Sequence, residues 1–305
     1  MMQDPLSLWN AGPTKERILT FVLGTTRADS PDYVTPHNRI AVFDNDGTLW
    51  VEQPMYTQLR FALERLEELA DDHPEWRQDP VLTAALDHEI EALAGFGMAG
   101  LGKIVAASHT GITTEELAET VRSWIAGARH PTLDRLYPEL VFQPQLQLMD
   151  YLRAHGYRTY IVSGGGVEFM RVFADEVYGV PPEQVIGSSV ETVYELRDGR
   201  GALVQMPAID LVDDGPGKPV GINKFIGHRP TIAVGNSDGD LEMLQYTTTG
   251  DGPSLGIYIH HDDAEREFAY DRGATFGGLD EGLTEAARRE WLVVSMNEDW
   301  KQIFA

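Results

Sequence analysis

Two aspartates in one short stretch are the residues best placed to do chemistry in this chain. Asp44 and Asp46 follow directly on Ile40-Ala41-Val42-Phe43, an apolar run typical of a buried strand. Aspartate is a poor strand former, and Gly47 lets the following turn bring its backbone close to a ligand. Because ligands of open α/β sheets bind at the carboxyl ends of the strands, this stretch predicts a ligand site. An Asx turn that only ends the strand is the alternative.

The string Asp44-Asn45-Asp46-Gly47-Thr48 resembles motif I of the haloacid dehalogenase-like (HAD) superfamily, whose phosphatases carry Asp-x-Asp-x-Thr after the first strand. Three further stretches resemble the other motifs of this superfamily, and they occur in the same order. The resemblance to motifs II, III and IV lies in Tyr160-Ile161-Val162-Ser163-Gly164-Gly165, in Lys218, and in Ile232-Ala233-Val234-Gly235-Asn236-Ser237-Asp238-Gly239-Asp240. It covers residues 39–246, and the order of all four motifs makes it specific.

The resemblance implies different catalytic roles for the two aspartates of motif I. Asp44 is expected to be the nucleophile that forms an aspartyl-phosphate. Asp46 is expected to protonate the leaving alcohol and then activate water, which requires surroundings that raise its pKa. Dehalogenases of the superfamily lack this second aspartate, so its presence indicates phosphate ester hydrolysis. A plain metal ligand is the alternative role for Asp44.

Four residues are expected to bind the phosphoryl group, by the same resemblance: Thr48, Ser163, Gly164 and Lys218. Ser163 ends a predicted strand before glycines and a helix, so its hydroxyl and the nearby N–H groups suit a phosphate oxygen. A helix N-cap is the alternative for Ser163, and a turn or a cap for Thr48. Lys218 would neutralise the nucleophile; Lys224 is its rival, and we prefer Lys218 because it precedes a predicted helix.

The resemblance also implies Mg²⁺, which prefers oxygen ligands. The expected ligands in motif I are the carboxylate of Asp44 and the main-chain carbonyl of Asp46. Motif IV has Asn236 where phosphatases of this branch usually carry aspartate. We expect Asn236 to bind the metal and Asp240 to be a second ligand or to lie in the outer shell, with Asp238 as an alternative ligand. Capping of the following helix is the other interpretation of Asp238 and Asp240.

The branch of the superfamily that the motifs resemble contains the phosphoserine phosphatases, which use a glutamate soon after motif I and an arginine in a helical cap. Glu52 lies near the first position, and Arg122, Arg129 and His130 are candidates for the second; helix-surface groups are the alternative for these three. The pattern does not select phosphoserine as the substrate. We interpret His260-His261-Asp262-Asp263 as a polar loop at a sheet edge rather than a metal site.

Alternating strands and helices predict an α/β fold with a doubly wound parallel sheet. Strands are predicted at 40–43, 157–163, 185–189, 231–235, 255–259 and 291–295, with a β-hairpin over 190–212 around an Asp-Gly turn. Helices are predicted at 14–25 with Thr14 as cap, and at 146–155, 167–177, 219–227 and 241–246.

No strand is evident from residue 52 to residue 134, where helical spacing appears at 56–70, 81–93 and 113–128. A glycine-rich break is predicted at 95–102 and a capping box at Thr113. The resemblance implies that residues 1–51 and 135–305 form a HAD-like Rossmann core and that residues 52–134, here called the insert, form a helical cap. We expect this cap to act as a lid that excludes water.

The composition excludes several classes of function. The formal net charge is −24, which repels nucleic acid and anionic membranes, so neither is expected as a partner. The chain has no cysteine, which excludes disulfides and a cysteine nucleophile. Neither a signal peptide nor an apolar stretch of membrane-spanning length is evident, and we expect a soluble cytoplasmic protein.

These observations predict a Mg²⁺-dependent phosphatase that hydrolyses a small phosphorylated metabolite, a phosphomonoester, through an aspartyl-phosphate intermediate. Two alternatives stay open. One is a phosphotransferase or pyrophosphatase that uses the same site. The other is a non-catalytic protein that binds a phosphorylated ligand, which Asn236 in motif IV would favour.

Overall fold

One eight-stranded sheet organises the fold, described here from a computed structural model that covers residues 4–305 apart from the side chains of residues 91, 94 and 98. The strands are β1 (Ile40–Phe43), β2 (Arg158–Gly166), β3 (Val185–Arg197), β4 (Arg200–Leu211), β5 (Ile232–Gly235), β6 (Leu255–Asp262), β7 (Ala269–Tyr270) and β8 (Leu292–Ser295). Their order is β4-β3-β2-β1-β5-β6-β7, and β8 pairs with β6. The pairs β3–β4 and β6–β7 are antiparallel and the others are parallel, so β1 lies in the centre of a parallel sheet.

Thirteen α-helices are found among residues 4–305. They are α1 (Pro13–Thr26), α2 (Thr57–Leu69), α3 (Pro80–Leu86), α4 (Ile90–Gly95), α5 (Gly97–His109), α6 (Thr114–Ile125), α7 (Gln143–Ala154), α8 (Val167–Arg171), α9 (Ala174–Tyr178), α10 (Gly217–Phe225), α11 (Leu241–Thr248), α12 (Glu281–Arg289) and α13 (Met296–Asp299). No helix in this part of the chain combines the length and the apolar character needed to cross a lipid bilayer.

The central strand β1 is buried on both faces. Ala41 and Phe43 belong to a hydrophobic cluster that includes residues of α1, α7 and α8, whereas Ile40 and Val42 belong to a second cluster with residues of α10, α11 and α12. Successive side chains of a strand point to opposite faces, so helices cover the sheet on both sides. The predicted α/β class, a doubly wound parallel sheet, is confirmed.

The insert contains only helices and turns as named elements between β1 and β2. Apolar side chains of α2, α3, α4 and α5, among them Leu66 and Leu82, form most of a third hydrophobic cluster, which also includes Trp76 and, from outside the insert, Phe276. The apolar side chains of α6, Leu117, Val121 and Ile125, belong instead to the large cluster beneath the sheet. The predicted domain boundaries at residues 51/52 and 134/135 stay a prediction.

Two predicted helices are each divided in two. The helix predicted over 81–93 is split into α3 and α4 around His88, whose φ of 54° lies in the left-handed region. The helix predicted over 167–177 is split into α8 and α9. Helical spacing of apolar residues located both segments correctly, but it does not report a local break in backbone geometry.

The glycine-rich break predicted at 95–102 is limited to the turn between Gly95 and Gly97, because α5 runs through the rest of the stretch. A Cβ on Gly102 would lie 2.9 Å from Ile209 of β4, so this glycine permits close packing of α5 against the hairpin. The cap predicted at Thr14 is wrong: α1 begins at Pro13, with Gly12 as N-cap and no side-chain cap. The capping box at Thr113 and the hairpin turn at 198–199 are confirmed.

The separate cluster in α2–α5 leads to a prediction about stability. Leu66 is fully buried, so Leu66→Ala should lower the free energy of unfolding by about 2–5 kcal/mol. In native-state hydrogen exchange, amides of α2–α5 should lose protection while those of β1 and β2 keep it. The matched control is Leu148→Ala in α7, which lies in the large cluster and should lower protection in the sheet. Equal loss in the insert and the sheet for Leu66→Ala would contradict a separately packed insert.

Candidate active site

Asp44 is the first residue after β1 and lies at the carboxyl edge of the sheet. Its N–H donates to the carbonyl of Val234 in the neighbouring strand β5, over 2.9 Å, so its backbone continues the parallel ladder. The turn that follows depends on Gly47, whose φ is 71°. A Cβ at this position would lie 2.1 Å from Nδ2 of Asn236. Glycine is therefore required both for the backbone conformation and for the approach of motif IV.

Lys218 brings motifs I, II and IV together. It lies in the first turn of α10 and is 2% exposed. Its Nζ donates to Oδ1 of Asp44 at 2.7 Å, to Oδ1 of Asp240 at 2.5 Å and to the carbonyl of Val162 at 3.1 Å. All three ammonium hydrogens are thus used. Lys224, its rival, is exposed, and its Nζ lies 3.9 Å from Asp210.

Burial and charge act in opposite directions on this group. Burial alone would lower the pKa of Lys218, but the charges of Asp240 and Asp44 raise it, so the ammonium group stays charged. Burial raises the pKa of Asp44, and the charge of Lys218 opposes this rise. A buried ammonium group held by two carboxylates is the arrangement that such desolvation demands.

Asp46 lies two residues further along the turn. Its Oδ1 accepts a hydrogen bond from Nε1 of Trp50 at 2.9 Å, and its Oδ2 accepts one from Nδ2 of Asn45 at 3.4 Å. Burial raises the pKa of Asp46, while the hydrogen bonds from Trp50 and Asn45 lower it by less. The surroundings therefore shift the carboxyl group in the direction that a proton donor needs.

Ser163 belongs to β2 and lines the same cavity as the two aspartates of motif I. A Cβ on Gly165 would lie 3.5 Å from Oγ of Ser163 and 3.6 Å from Oδ2 of Asp46, so these two oxygens border one glycine. Gly164 and Gly165 also line the cavity. The N-cap of α8 is Gly166, without a side-chain cap, so the capping alternative for Ser163 is wrong.

Asn236 follows β5 and is held by two hydrogen bonds. Its Nδ2 donates to Oε1 of Glu52 at 2.6 Å, and its Oδ1 accepts from the hydroxyl of Thr48 at 3.0 Å. Oε1 of Glu52 also accepts from the hydroxyl of Tyr270 at 2.8 Å. Burial raises the pKa of Glu52 to about 7, against the charge of His261. Glu52 thus lies in the site, next to the motif IV amide.

The structure does not bring every predicted phosphate or metal group to the cavity. Thr48 is fully buried, is not among the lining residues and has its hydroxyl bound to Asn236, which contradicts its expected contact with phosphate. Asp240 has both oxygens engaged, since Oδ2 accepts the N–H groups of Asn236 and Ser237 at 2.9 and 3.1 Å. Asp240 was predicted to be either a second metal ligand or an outer-shell residue, and this arrangement fits the outer-shell position.

Asp238, the alternative metal ligand, is directed towards the start of α12. Its carboxylate accepts the N–H groups of Asp280, Glu281 and Gly282, over 2.8–3.2 Å. It therefore caps α12, a helix that was not predicted from the sequence, rather than the helix that follows motif IV.

The predicted substrate arginines lie outside the site. Arg122 and Arg129 are exposed on the insert, and neither lines the cavity. Nη1 of Arg129 donates to the carbonyl of Asp134 at 2.6 Å. His130 is buried against Gln53, whose carbonyl lies 2.5 Å from its Nε2. Periodicity placed these residues on helices and loops but could not tell which of them face the cavity.

Two groups near the site were missed or misjudged. His261 is buried in β6, where its Nε2 contacts the carbonyl of Gly47 at 2.7 Å and its Nδ1 contacts Glu267 at 3.0 Å. It therefore supports the motif I turn. The predicted polar loop is wrong for His260, His261 and Asp262, which all belong to β6, and the alternation of His261 with Ile259 in the strand was the available signal. Asp214 was not considered, although its carboxylate lies beside Gly164 and Gly239 and lines the cavity.

The site and the fold together define an α/β enzyme that binds its ligand at the carboxyl edge of a parallel sheet. The model of the family described as haloacid dehalogenase-like hydrolase matches residues 41–245, and the chain belongs to this family. The prediction that the chain belongs to this family is confirmed, and so is the prediction that it is a hydrolase. Among curated proteins, none matches the chain.

Solved structures resemble the chain in fold. A conserved functionally unknown protein from Anaerococcus prevotii DSM 20548 has a TM-score of 0.59 at 17% identity, over 96% of this chain and 94% of its own. A protein with unknown function from Bordetella pertussis Tohama I has a TM-score of 0.53 at 17% identity, over 84% and 98%. A phosphoserine phosphohydrolase-like protein from Francisella tularensis has a TM-score of 0.44 at 20% identity, over 73% and 88%.

The buried lysine leads to a prediction about stability. Lys218→Met should lower the free energy of unfolding by about 3–5 kcal/mol, because it leaves two carboxylates buried without a cation. The loss should be smaller at pH 5 than at pH 8, since the variant can protonate one carboxylate in the folded state. Urea unfolding followed by circular dichroism measures this.

The matched control is Lys224→Met, which changes an exposed lysine on the same helix and should stay within about 0.5 kcal/mol of the unsubstituted protein. Equal effects of the two substitutions would show that the buried contacts of Lys218 do not stabilise the fold.

Proposed function

We propose that the protein is a Mg²⁺-dependent phosphatase that hydrolyses a small phosphomonoester through an aspartyl-phosphate on Asp44. The observation that carries this proposal is the placement of Asp44 at the end of the central strand, bound to Lys218 and beside Asp46. Ser163 lines the same cavity and supplies a hydroxyl group for the phosphoryl oxygens. The membership in the hydrolase family supports the same reaction class.

In the first proposed step, a carboxylate oxygen of Asp44 attacks phosphorus as the ester P–O bond breaks. Lys218 holds Oδ1 of Asp44, so Oδ2 is the oxygen assigned to the attack. Asp46 gives its proton to the departing alkoxide, which leaves as the alcohol. Oδ1 of Asp46 accepts the hydrogen bond from Trp50 at 2.9 Å, whereas the contact of Oδ2 with Asn45 is longer, at 3.4 Å, so Oδ2 is the atom assigned to carry this proton.

In the second proposed step, water replaces the alcohol. Asp46, now a carboxylate, takes a proton from this water, and the oxygen attacks phosphorus of the aspartyl-phosphate. The bond between phosphorus and the Asp44 oxygen breaks, inorganic phosphate leaves, and both carboxyl groups regain their first state. Ser163 is assigned to bind the phosphoryl oxygens throughout, and Lys218, whose three hydrogens are already used, acts on them through its charge.

The surroundings of Asp44 fit a divalent cation. The charges of Asp240, Asp44 and Asp214 all act on Lys218, and burial raises the pKa of Asp213, which the charge of Lys218 also reaches, to about 7. Lys218 alone therefore faces an excess of acidic groups. Among the side chains that the structure describes, no group of three or more His, Asp or Glu is arranged to hold a metal. The cation would draw on the Asp44 carboxylate, the Asp46 carbonyl and the Asn236 amide oxygen.

Bound there, Mg²⁺ would neutralise charge on the transferred phosphoryl group. The hydrogen bond from Nδ2 of Asn236 to Glu52 fixes the amide so that Oδ1 is turned towards Thr48. One hydrogen bond occupies one lone pair of this oxygen, and the second lone pair is left for a cation. Glu52 is thus proposed as a residue that positions Asn236, in place of its predicted role in substrate binding.

The proposal predicts the effect of removing the nucleophile. Asp44→Asn should reduce hydrolysis of an aryl phosphate at least about 1,000-fold, because the amide oxygen is a poor nucleophile. Rapid acid quenching with a ³²P-labelled ester should trap labelled protein for the unsubstituted chain and none for the variant. Asp198→Asn, at the exposed hairpin turn, is the control and should keep both signals. Equal labelling of the Asp44→Asn protein would remove Asp44 as the nucleophile.

A second prediction tests the metal position. Asn236→Asp puts a carboxylate in hydrogen-bond contact with Glu52, so the two charges repel each other unless a cation or a proton joins them. The melting temperature should fall by several degrees in EDTA and recover in millimolar Mg²⁺, and Mg²⁺ should bind more tightly by calorimetry. Asn38→Asp, on an exposed turn, is the control. A melting temperature of the Asn236→Asp protein that does not respond to Mg²⁺ would argue against Asn236 as a ligand.

A further inference from the structure

The cavity extends well beyond the motif residues. Its volume is about 550 Å³, which suits an organic molecule larger than a three-carbon metabolite. Its far wall is formed by apolar side chains of the insert, of α8 and of β4, among them Leu59, Leu101, Val105, Phe169 and Ile209. The part of a substrate that lies against this wall must therefore be largely apolar.

The lining offers little to an anionic group. Besides Lys218, Arg171 is the only lysine or arginine among the residues that line the cavity, all of which are described. Its Nη1 donates to Glu168 at 2.7 Å and its Nε donates to the carbonyl of Pro182 at 3.2 Å. Glu183 and Asp210 add further acidic groups to the lining. A carboxylate or a second phosphate on the substrate would be repelled there.

His109, at the end of α5, lines the cavity and is buried. Burial lowers its pKa to about 4, so the imidazole is neutral at physiological pH. The hydroxyl of Ser108 donates to the carbonyl of Val105 at 2.8 Å, and its oxygen lies 2.8 Å from Nδ1 of His109. The hydroxyl hydrogen is used, so Nδ1 carries the proton and Nε2 is an acceptor. This Nε2 is buried and has no hydrogen-bond partner among residues 4–305.

Gln205 of β4 presents the complementary group. Its main chain accepts from the N–H of Gly111 and donates to the carbonyl of Ile112, both at 2.9 Å, just after α5. Its side chain is 2% exposed and lines the cavity, and its Nε2 is buried without an acceptor in the described part of the chain. His109 and Gln205 therefore lie on adjacent segments of one cavity wall, each with a buried polar atom that has no partner, and leaving such groups unpaired costs stability.

We propose that the leaving alcohol of the substrate is an uncharged molecule with an apolar body, and that it carries a polar group which donates to Nε2 of His109 and accepts from Nε2 of Gln205. This inference rests on the proposed phosphatase function for the phosphate end, and on the far wall for the alcohol end. It excludes amino-acid phosphates and bisphosphates as preferred substrates. A neutral amide or hydroxyl on a ring satisfies both side chains, whereas a carboxylate cannot donate to His109.

The test compares 3- and 4-carbamoylbenzyl phosphates with the 3- and 4-carboxybenzyl phosphates, which match them in size, and with benzyl phosphate, which lacks the substituent. The kcat/KM of the better carbamoyl isomer should be at least about 10-fold higher than that of benzyl phosphate. It should be at least about 100-fold higher than that of the carboxyl ester with the same substitution position. Binding of the corresponding alcohols, measured by calorimetry, should follow the same order without any catalysis. Equal or better turnover and binding of the carboxyl compounds would overturn the inference.

Two variants assign the preference to residues. Gln205→Leu and His109→Phe should each bring the ratio of carbamoyl to benzyl turnover towards one, whereas a purely structural role would lower both substrates alike. Gln302→Leu and His228→Phe, at exposed positions, should keep the ratio. Alcohol binding that depends on His109 and Gln205, without hydrolysis of any ester, would contradict the phosphatase proposal and leave this inference standing.

Discussion

The ammonium group of Lys218 is enclosed between Asp44 and Asp240, and the geometry of the whole site depends on this arrangement. A buried charge must be paired, and here the pairing partners come from separate parts of the chain. Asp44 ends β1, the carbonyl of Val162 belongs to β2, and Asp240 follows β5. The three central strands are thereby fixed in one register at their carboxyl ends, where the cavity opens.

Asp240 transmits this constraint to motif IV. One oxygen binds Lys218, and the other binds the N–H groups of Asn236 and Ser237, which fixes the loop after β5. Asn236 then contacts both Thr48 of the motif I turn and Glu52 beyond it. The neutral amide in motif IV therefore has a carboxylate one hydrogen bond away. In the proposed enzyme, that arrangement keeps an acidic group near the cation without adding a third carboxylate to the contacts of Lys218.

The sequence predicted those features that depend on neighbouring residues. The apolar run before Asp44 located the central strand, and the choice of Lys218 over Lys224 followed from its place at a helix start; the structure puts it in the first turn of α10, bound to Asp44. Features that depend on distant contacts were not predictable in this way. Gly102 lies inside a helix because α5 packs on Ile209, more than one hundred positions away. Thr48 matched its motif, but its hydroxyl turns towards Asn236, a contact that local spacing does not encode.

The wall opposite the motifs shows how the insert and the hairpin depend on each other. Two backbone hydrogen bonds join Gln205 of β4 to residues 111 and 112, and a further bridge pairs Thr113 with Val204. The apolar residues of α6 pack in the large cluster beneath the sheet. A lid motion of the entire insert would therefore break these hydrogen bonds and expose that cluster. The helices α3 and α4 have no such bond to the hairpin among the described residues and pack in the third hydrophobic cluster, whereas Gln58 of α2 accepts the N–H of Gly166 at the end of β2, so opening that admits a substrate has its lowest cost at α3 and α4.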